Sequence, residues 1–367
     1  MSGGVLHVCG ARPNFMKVAP IWRALAERTH LPQTLVHTGQ HYDARMSQVF
    51  FDELGLPAPD LSLGVGSGSH AEQTAKVMVA LERVLERRRP ALVSVVGDVN
   101  STLAAALVAA KAQIPLAHVE AGLRSFDRGM PEEVNRVVVD RLAALLLTPS
   151  GDADENLRRE GARPEQIHRV GNVMVDTLRA NLAAAQARPV LRDLALAPKG
   201  YAVCTLHRPA NVDDPKMLGR ILRGLAAVQR ALPVVFPAHP RTRKVLDGLG
   251  ALLAELPGLR LCEPMGYLDF LGLTSQARLV LTDSGGLQEE TTALGVPCLT
   301  LRENTERPIT VALGTNVLVG RDPERIAREA LAAIEGRGKR GTVPQGWDGR
   351  AGVRVAEIYA GFLRAER

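Results

Sequence analysis

IPLAHVEAGLRSFDRGMPEEVNR, residues 114 to 136, is the stretch that decides how this chain is read. Ile114 to Ala117 form a short apolar run, the signature of a buried strand, and His118, Glu120 and Gly122 then fall at its carboxyl end. That is the end at which open α/β sheets bind ligands. Pro131-Glu132-Glu133 opens a helical pattern, with proline at a first-turn position and carboxylates favoured by the positive end of the helix dipole. One acid at a strand end and another at a helix start would thus address a common site. The alternative is that Glu132 and Glu133 are ordinary helix-start charges and that Glu120 pairs with Arg124.

The same rhythm of strand, polar turn and helix repeats upstream. Val5 to Cys9 is an apolar strand, followed by Gly10-Ala11-Arg12-Pro13-Asn14-Phe15-Met16-Lys17 and an amphipathic helix to about Arg28. Arginine and lysine at a helix start behind a glycine turn make either an anion site or a solvated basic helix end. Thr34 to Thr38 reads as a strand ending in Gly39-Gln40-His41-Tyr42-Asp43. The small-residue loop GVGSGSH (64 to 70), ligand-facing or a mere linker, precedes a helix over Ala71 to Arg88. Ala91 to Val96 ends in Gly97-Asp98-Val99-Asn100-Ser101-Thr102, so Asp98 stands at a third strand end, unless Asp98, Ser101 or Thr102 simply caps the next helix. Beyond the central stretch come a helix from about Glu133 to Leu142, strands over Leu145 to Thr148 and His168 to Val170, and a helix between them. Such alternation with short loops predicts a parallel, doubly wound sheet.

Gly171-Asn172, a helix to about Gln186 and the segment ALAPKG (195 to 200) mark a crossing into a second α/β unit. Tyr201 to Leu206 is a strand ending in His207-Arg208, and Val234 to Ala238 is another, ending in His239-Pro240-Arg241. Two histidines beside arginines at successive strand ends point to a phosphate site. EPMGYLDF (263 to 270) joins a turn to two aromatics, to hold a planar base or to staple a loop. Arg278 to Thr282 leads through Asp283-Ser284-Gly285-Gly286 into a helix. Bare backbone N–H groups at such a helix start suit a diphosphate, and paired glycines are costly there unless the backbone approaches something closely. Glu290, one turn further, is placed to accept hydrogen bonds from ribose hydroxyls. Cys298 to Leu301 brings Arg302 and Arg307 to the same edge, and the terminal helix after Trp347 is long enough to pack back on the first domain.

With 367 residues, 46% hydrophobic and 23% charged, the chain is long enough for two domains with separate cores. A formal charge of +6 favours anionic partners, but the basic residues are scattered and aromatics make up only 4%, which favours a small phosphorylated ligand over nucleic acid. Cys9, Cys204, Cys262 and Cys298 lie in or beside apolar strands without a CxxC pair, as buried hydrophobes in a reducing cytoplasm do. No metal constellation is visible. No signal peptide and no run of roughly 20 apolar residues is found, so a soluble, cytoplasmic protein without membrane partners is expected.

Taken in order, GARPNFMK, TGQHYD, GDVNST, HVEAGLRS, MPEEVNR, TLHRPANVDD, PAHPRT, LTDSGGLQEE and NTERP span essentially the whole chain. Their joint occurrence resembles the UDP-N-acetylglucosamine 2-epimerases of the non-hydrolysing type. The resemblance implies two Rossmann-like, doubly wound parallel-sheet domains facing across a cleft (GT-B-like): residues 1–171, a UDP-binding domain over 172–350, and a terminal helix over 351–367 returning to the first. It implies reversible epimerisation at C2 of UDP-N-acetylglucosamine to UDP-N-acetylmannosamine, supplying sugar nucleotide for cell-surface polysaccharide. UDP leaves to give a 2-acetamidoglucal and is added back. Asp98, Glu120 and Glu132 match the acids of the chemistry and His207 the histidine. Ser284, Gly285 and Gly286 would take the diphosphate, Glu290 the ribose, Met265, Gly266 and Phe270 the uracil. Arg12, Lys17, His239 and Arg307 would add positive or polar groups for the substrate. A homodimer without cofactor or metal is expected. The short SFDRGMPEE segment is shared with relatives acting on UDP-diacetamido uronic acids, and a GT-B glycosyltransferase is the other alternative. Many bacterial members bind a regulatory UDP-N-acetylglucosamine through a second Gln and a following Arg; here Gln40 is kept, Asp43 replaces that Gln and GVGSGSH has no arginine, so that site is not implied.

Overall fold

The computed structural model describes residues 3–40 and 48–365, with the side chains of 48–50 excepted. His41, Tyr42 and Asp43 of the second strand's loop lie outside the described residues. The chain divides into two compact units, one formed by residues 1–177 with 345–367 and the other by 178–344.

In the first unit the order is β1 (Val5–Cys9), α1 (Arg12–Arg28), β2 (Gln33–His37), α2 (Gln48–Leu54), β3 (Leu61–Ser62), α3 (His70–Arg88), β4 (Leu92–Val96), α4 (Asn100–Lys111), β5 (Leu116–Val119), α5 (Pro131–Leu142), β6 (Leu145–Thr148), α6 (Gly151–Arg159), β7 (Ile167–Arg169) and α7 (Val173–Gln186), which runs into the second unit. The strands form one sheet in the order β3-β2-β1-β4-β5-β6-β7, and every pairing is parallel. Reversal of strand order between β1 and β4 makes this the switch point, where the carboxyl ends of neighbouring strands open a crevice. The core is built from near-continuous apolar strands such as Leu92–Val96, all five residues of which are buried, because helices cover both faces of a parallel sheet.

The second unit runs α8 (Val190–Asp193), β8 (Ala202–Thr205), α9 (Pro209–Val212), α10 (Pro215–Ala231), β9 (Val234–Pro237), α11 (Pro240–Asp247), α12 (Gly250–Ala254), β10 (Leu259–Cys262), α13 (Tyr267–Ser275), β11 (Leu279–Thr282), α14 (Gly285–Leu294), β12 (Cys298–Thr300), α15 (Pro308–Ala312), β13 (Asn316–Leu318) and α16 (Pro323–Ile334). Its sheet is again all parallel, β10-β9-β8-β11-β12-β13, with the switch point between β8 and β11. Strand alternation divides its core cleanly. Ala202, Cys204, Leu279 and Leu281 face a cluster with Ile221 and Ile326 of α10 and α16, whereas Tyr201, Val203 and Val280 face a second cluster with Leu273 and Leu287 of α13 and α14.

The last helix, α17 (Ala351–Ala365), belongs to the first unit and packs on α1. Asp176 accepts from the N–H groups of Ala351 (3.1 Å) and Gly352 (2.7 Å), and the buried hydroxyls of Tyr359 and Ser94 share a hydrogen bond of 2.8 Å. Trp347 donates to the Pro149 carbonyl at 3.0 Å. Between α16 and α17, residues 335–350 form a non-helical connection.

Candidate active site

The switch point of the first unit carries two of the three expected acids. Asp98 follows β4 through Gly97, and Glu120 follows β5 directly. The observed strand is Leu116–Val119, two residues later than the apolar run suggested, because the apolar positions continue through Val119. His118 therefore lies inside the sheet with a fully buried side chain instead of at its mouth.

Glu120 is 3% exposed and has φ +70°, a left-handed backbone that side-chain-bearing residues adopt only when their surroundings impose it. Its Oε2 lies 2.5 Å from Nζ of Lys17 on α1. The alternative pairing with Arg124 is not what the fold makes: Arg124 is buried against Asp140 (2.7 Å) and Glu160 (2.6 Å). Gly122, two residues on, has φ +79°, and a Cβ there would lie 2.4 Å from the Ala153 carbonyl, so this turn admits only glycine.

Asp98 pairs with Arg136 of α5, and Arg136 also holds Glu133 at 2.6 Å. Glu133 in turn accepts from the N–H groups of Ser125 (2.9 Å) and Phe126 (2.9 Å), anchoring the loop before the helix. Burial pushes the Glu133 carboxyl up, but those N–H groups and the Arg136 charge outweigh burial and hold it below the usual carboxylate range. Of the two neighbouring acids, Glu133 is thus spent on structure, while Glu132 is half-buried in the first turn of α5. Asp98, Ser101 and Thr102 do not cap α4, whose N-cap is Val99. Ser101 donates to Gln40 Oε1 at 2.6 Å and Thr102 to the Val96 carbonyl, so Gln40 acts here as a buried anchor.

Arg12 opens α1, half-buried. Asn14 fixes the turn around it by accepting from the N–H groups of Gly10 and Ala11 and donating to the Val96 carbonyl (3.1 Å).

At the second switch point, Asp283 is a fully buried hub that the sequence reading did not single out. It accepts from the Nδ1 of His207 (2.8 Å), the N–H groups of His207 and Arg208, and the amide of Asn211. Burial pushes its carboxyl up, yet these partners, His207 foremost, prevail and keep it below the usual range. The His207 ring, 54% exposed, is thereby oriented with Nε2 away from its anchor.

Ser284 is the N-cap of α14, and no side chain caps this helix start. The two glycines are explained separately: a Cβ on Gly285 would lie 2.4 Å from Oε1 of Glu306, whereas one on Gly286 meets nothing within 4 Å. Glu306 is gripped by Arg302 (2.7 Å) with Arg208 nearby (3.6 Å), and Arg307 is buried against Glu289 at 2.7 Å. Glu290 is 6% exposed; burial, reinforced by the charge of Glu289, pushes its carboxyl up to about 8.

Met265 and Phe270 are half-buried against the α13 face of the core, and Gly266 is the exposed N-cap of α13. The His239 ring accepts from the Arg241 N–H at 3.3 Å, capping α11. Arg241 itself pairs with Asp213.

Two parallel sheets, each in Rossmann order and each with polar turns at its switch point, define a two-Rossmann, GT-B-like α/β enzyme. The sequence profile of the family described as UDP-N-acetylglucosamine 2-epimerase matches residues 23–360, and the chain belongs to this family. It is 43% identical to a UDP-N-acetylglucosamine 2-epimerase of Methanocaldococcus jannaschii over 96% of this chain and 97% of that protein. The crystal structure of the M. jannaschii enzyme in complex with UDP-GlcNAc and UDP matches with a TM-score of 0.88 at 42% identity, covering 98% of this chain and 100% of the other. A UDP-2,3-diacetamido-2,3-dideoxy-D-glucuronate 2-epimerase of Pseudomonas aeruginosa is 40% identical over 97% of this chain and 99% of its own length.

Proposed function

We propose that this isomerase interconverts UDP-N-acetylglucosamine and UDP-N-acetylmannosamine by inverting C2. The observation that carries the reading is the pair Asp98 and Glu120, carboxylates at the ends of adjacent strands, each held by its own cation. The C2 proton of the sugar is far from acidic, so direct removal is unfavourable. Breaking the C1–O bond to UDP as C2 loses its proton leaves a C1–C2 double bond; a proton then adds to the opposite face of C2 and the UDP oxygen returns to C1.

Three carboxyl groups divide this work: one accepts the proton, one delivers it to the other face, and one supports the positive charge that develops at C1. Asp98, Glu120 and Glu132 supply them. His207, oriented by Asp283, stabilises the departing diphosphate together with Arg12 and Arg307, and Lys17 sets the charge of Glu120. Ser284 to Gly286 take the diphosphate, Glu290 the ribose, and Met265, Gly266 and Phe270 the uracil, with His239 beside them.

The test is a proton NMR time course with UDP-N-acetylglucosamine in deuterated water. UDP-N-acetylmannosamine carrying deuterium at C2 is expected; free sugar with UDP, or no reaction, overturns the reading. A second substrate has a specific observation behind it. The short segment Ser125 to Glu133 and the 40% identity to the P. aeruginosa relative make a UDP-diacetamido uronic acid the second candidate, so that nucleotide belongs in the same assay. The enzyme is further proposed to work as a cytoplasmic homodimer feeding polysaccharide synthesis. Light scattering on the purified protein reads the mass and tests the dimer.

A further inference from the structure

A buried histidine and its carboxylate partner link the turns of both strand-end acids. His118, in β5 two residues before Glu120, is fully buried. Its Nδ1 lies 2.6 Å from Oδ1 of Asp140 and its Nε2 2.8 Å from the carbonyl of Gly97. A carbonyl oxygen only accepts, so Nε2 donates to it. Asp140, on α5, uses its other oxygen for the N–H of Gly122 (3.0 Å) and the guanidinium of Arg124 (2.7 Å). Arg124 is gripped from α6 by both oxygens of Glu160, at 2.8 and 2.6 Å.

The ends of this relay are backbone groups of two particular turns. The Gly97 carbonyl immediately precedes Asp98, and the Gly122 N–H lies two residues beyond Glu120. We infer that His118 and Asp140 are positioning residues that lock the turn bearing Asp98 to the turn bearing Glu120. The inference rests on the functional reading above, in which both acids act on C2. It also accounts for the left-handed backbone of Glu120: a strained conformation persists only where the surroundings over-determine it. Asp140 supplies that constraint from the far side of the turn, while Lys17 holds the side chain. Asp140→Asn removes the charge that holds His118 and Arg124 between the two turns. His118→Gln leaves at most one of the two contacts.

The experiment compares full-length wild type with Asp140→Asn, His118→Gln, Asp140→Glu, and the references Asp98→Asn and Glu120→Gln. It measures kcat and KM for UDP-N-acetylglucosamine, calorimetric Kd for UDP, and Tm. A misplacement near 1 Å at a reacting group lowers turnover about 10²-fold, and that loss of kcat is expected in Asp140→Asn and His118→Gln. KM and the UDP Kd should stay within about twofold, since uniform binding is untouched. Asp140→Glu, which keeps the charge, should regain part of kcat, and it carries the test if a neutral variant fails to fold. Wild-type kcat in both neutral variants, with Asp98→Asn and Glu120→Gln dead, overturns the positioning role and leaves the functional reading standing. Loss of kcat and UDP affinity together, in step with Tm, overturns it as well, by showing a merely structural role. Active Asp98→Asn and Glu120→Gln enzymes overturn both.

Discussion

Nζ of Lys17 and Oε2 of Glu120, 103 residues apart in sequence, meet at 2.5 Å with 12% and 3% of their side chains exposed. A basic residue at the start of α1 is therefore not a free anion receptor; it is the counter-charge that allows an ionised carboxylate to sit at the end of β5. Breaking a buried ion pair by removing one partner costs about 3–5 kcal/mol. Lys17→Met is expected to lose most turnover and to lower Tm. Adding Glu120→Gln to it should restore much of the Tm and none of the activity, as coupled neighbours do in a double-mutant cycle. Additive Tm losses would show that the two groups do not share their energy.

Glu290 sets stability against nucleotide binding. Its folded carboxyl is pushed up from the ordinary 4.5 to about 8, so the folded protein holds this proton more tightly than the unfolded chain does. The contribution is fully present below about 4.5 and is lost as pH rises through 8, a penalty on the order of several kcal/mol. Glu290→Gln should melt close to wild type at pH 5 and above it at pH 8.5. Above pH 8, where the carboxyl is ionised, the same variant should bind UDP about 10-fold or more weakly, the worth of one charged hydrogen bond. Equal melting curves at both pH values would mean that the carboxyl is solvated.

Strands were the most legible part of the sequence because both sheets are parallel and covered on both faces. Val5–Cys9 and Leu145–Thr148 were read to the residue from their mostly apolar sequences. What escaped was short or half-exposed: Leu61–Ser62 has two residues, Leu259–Cys262 is interrupted by exposed Arg260, and Asn316–Leu318 opens with an asparagine. Asp98 and Glu120 were legible as strand-end acids by position alone. Their cations were not, because Lys17 reaches Glu120 and Arg136 reaches Asp98 only once strand order and helix phase are known. A signal was nonetheless present in α5, where Glu133, Arg136 and Asp140 recur at three- and four-residue spacing on one face. Asp283 was likewise visible in its motif, and only the fold shows it beneath His207.

Gly285 and Gly286 should respond oppositely to alanine. A methyl on Gly285 would strike Glu306, which Arg302 pins at 2.7 Å, so Gly285→Ala is expected to lose about 1–3 kcal/mol of stability through overpacking. A methyl on Gly286 meets open space, so Gly286→Ala should keep the wild-type Tm. If the N–H groups at this helix start hold the diphosphate, Gly286→Ala nevertheless weakens UDP binding about 10-fold, near 1.4 kcal/mol. Thermal shift and calorimetry on the two variants separate these effects, and wild-type UDP affinity in Gly286→Ala would move the diphosphate elsewhere.

The return of α17 to the first unit depends on one close approach. A Cβ at Gly352 would lie 2.6 Å from the carbonyl oxygen and 2.7 Å from the carbonyl carbon of Pro20, backbone atoms of α1 that cannot swing aside. Gly352 is also the residue whose N–H is held by Asp176 at 2.7 Å, so the helix has no room to slide along its cap. Gly352→Ala is therefore expected to destabilise the first unit by about 1–3 kcal/mol, even though alanine is the better helix former. The loss should appear as a lower Tm and as faster proteolysis within residues 345–365. UDP affinity should hold, because the groups proposed to bind UDP, Arg12 excepted, belong to the other unit. A variant as stable as wild type would mean that packing of α17 on α1 contributes little to the fold.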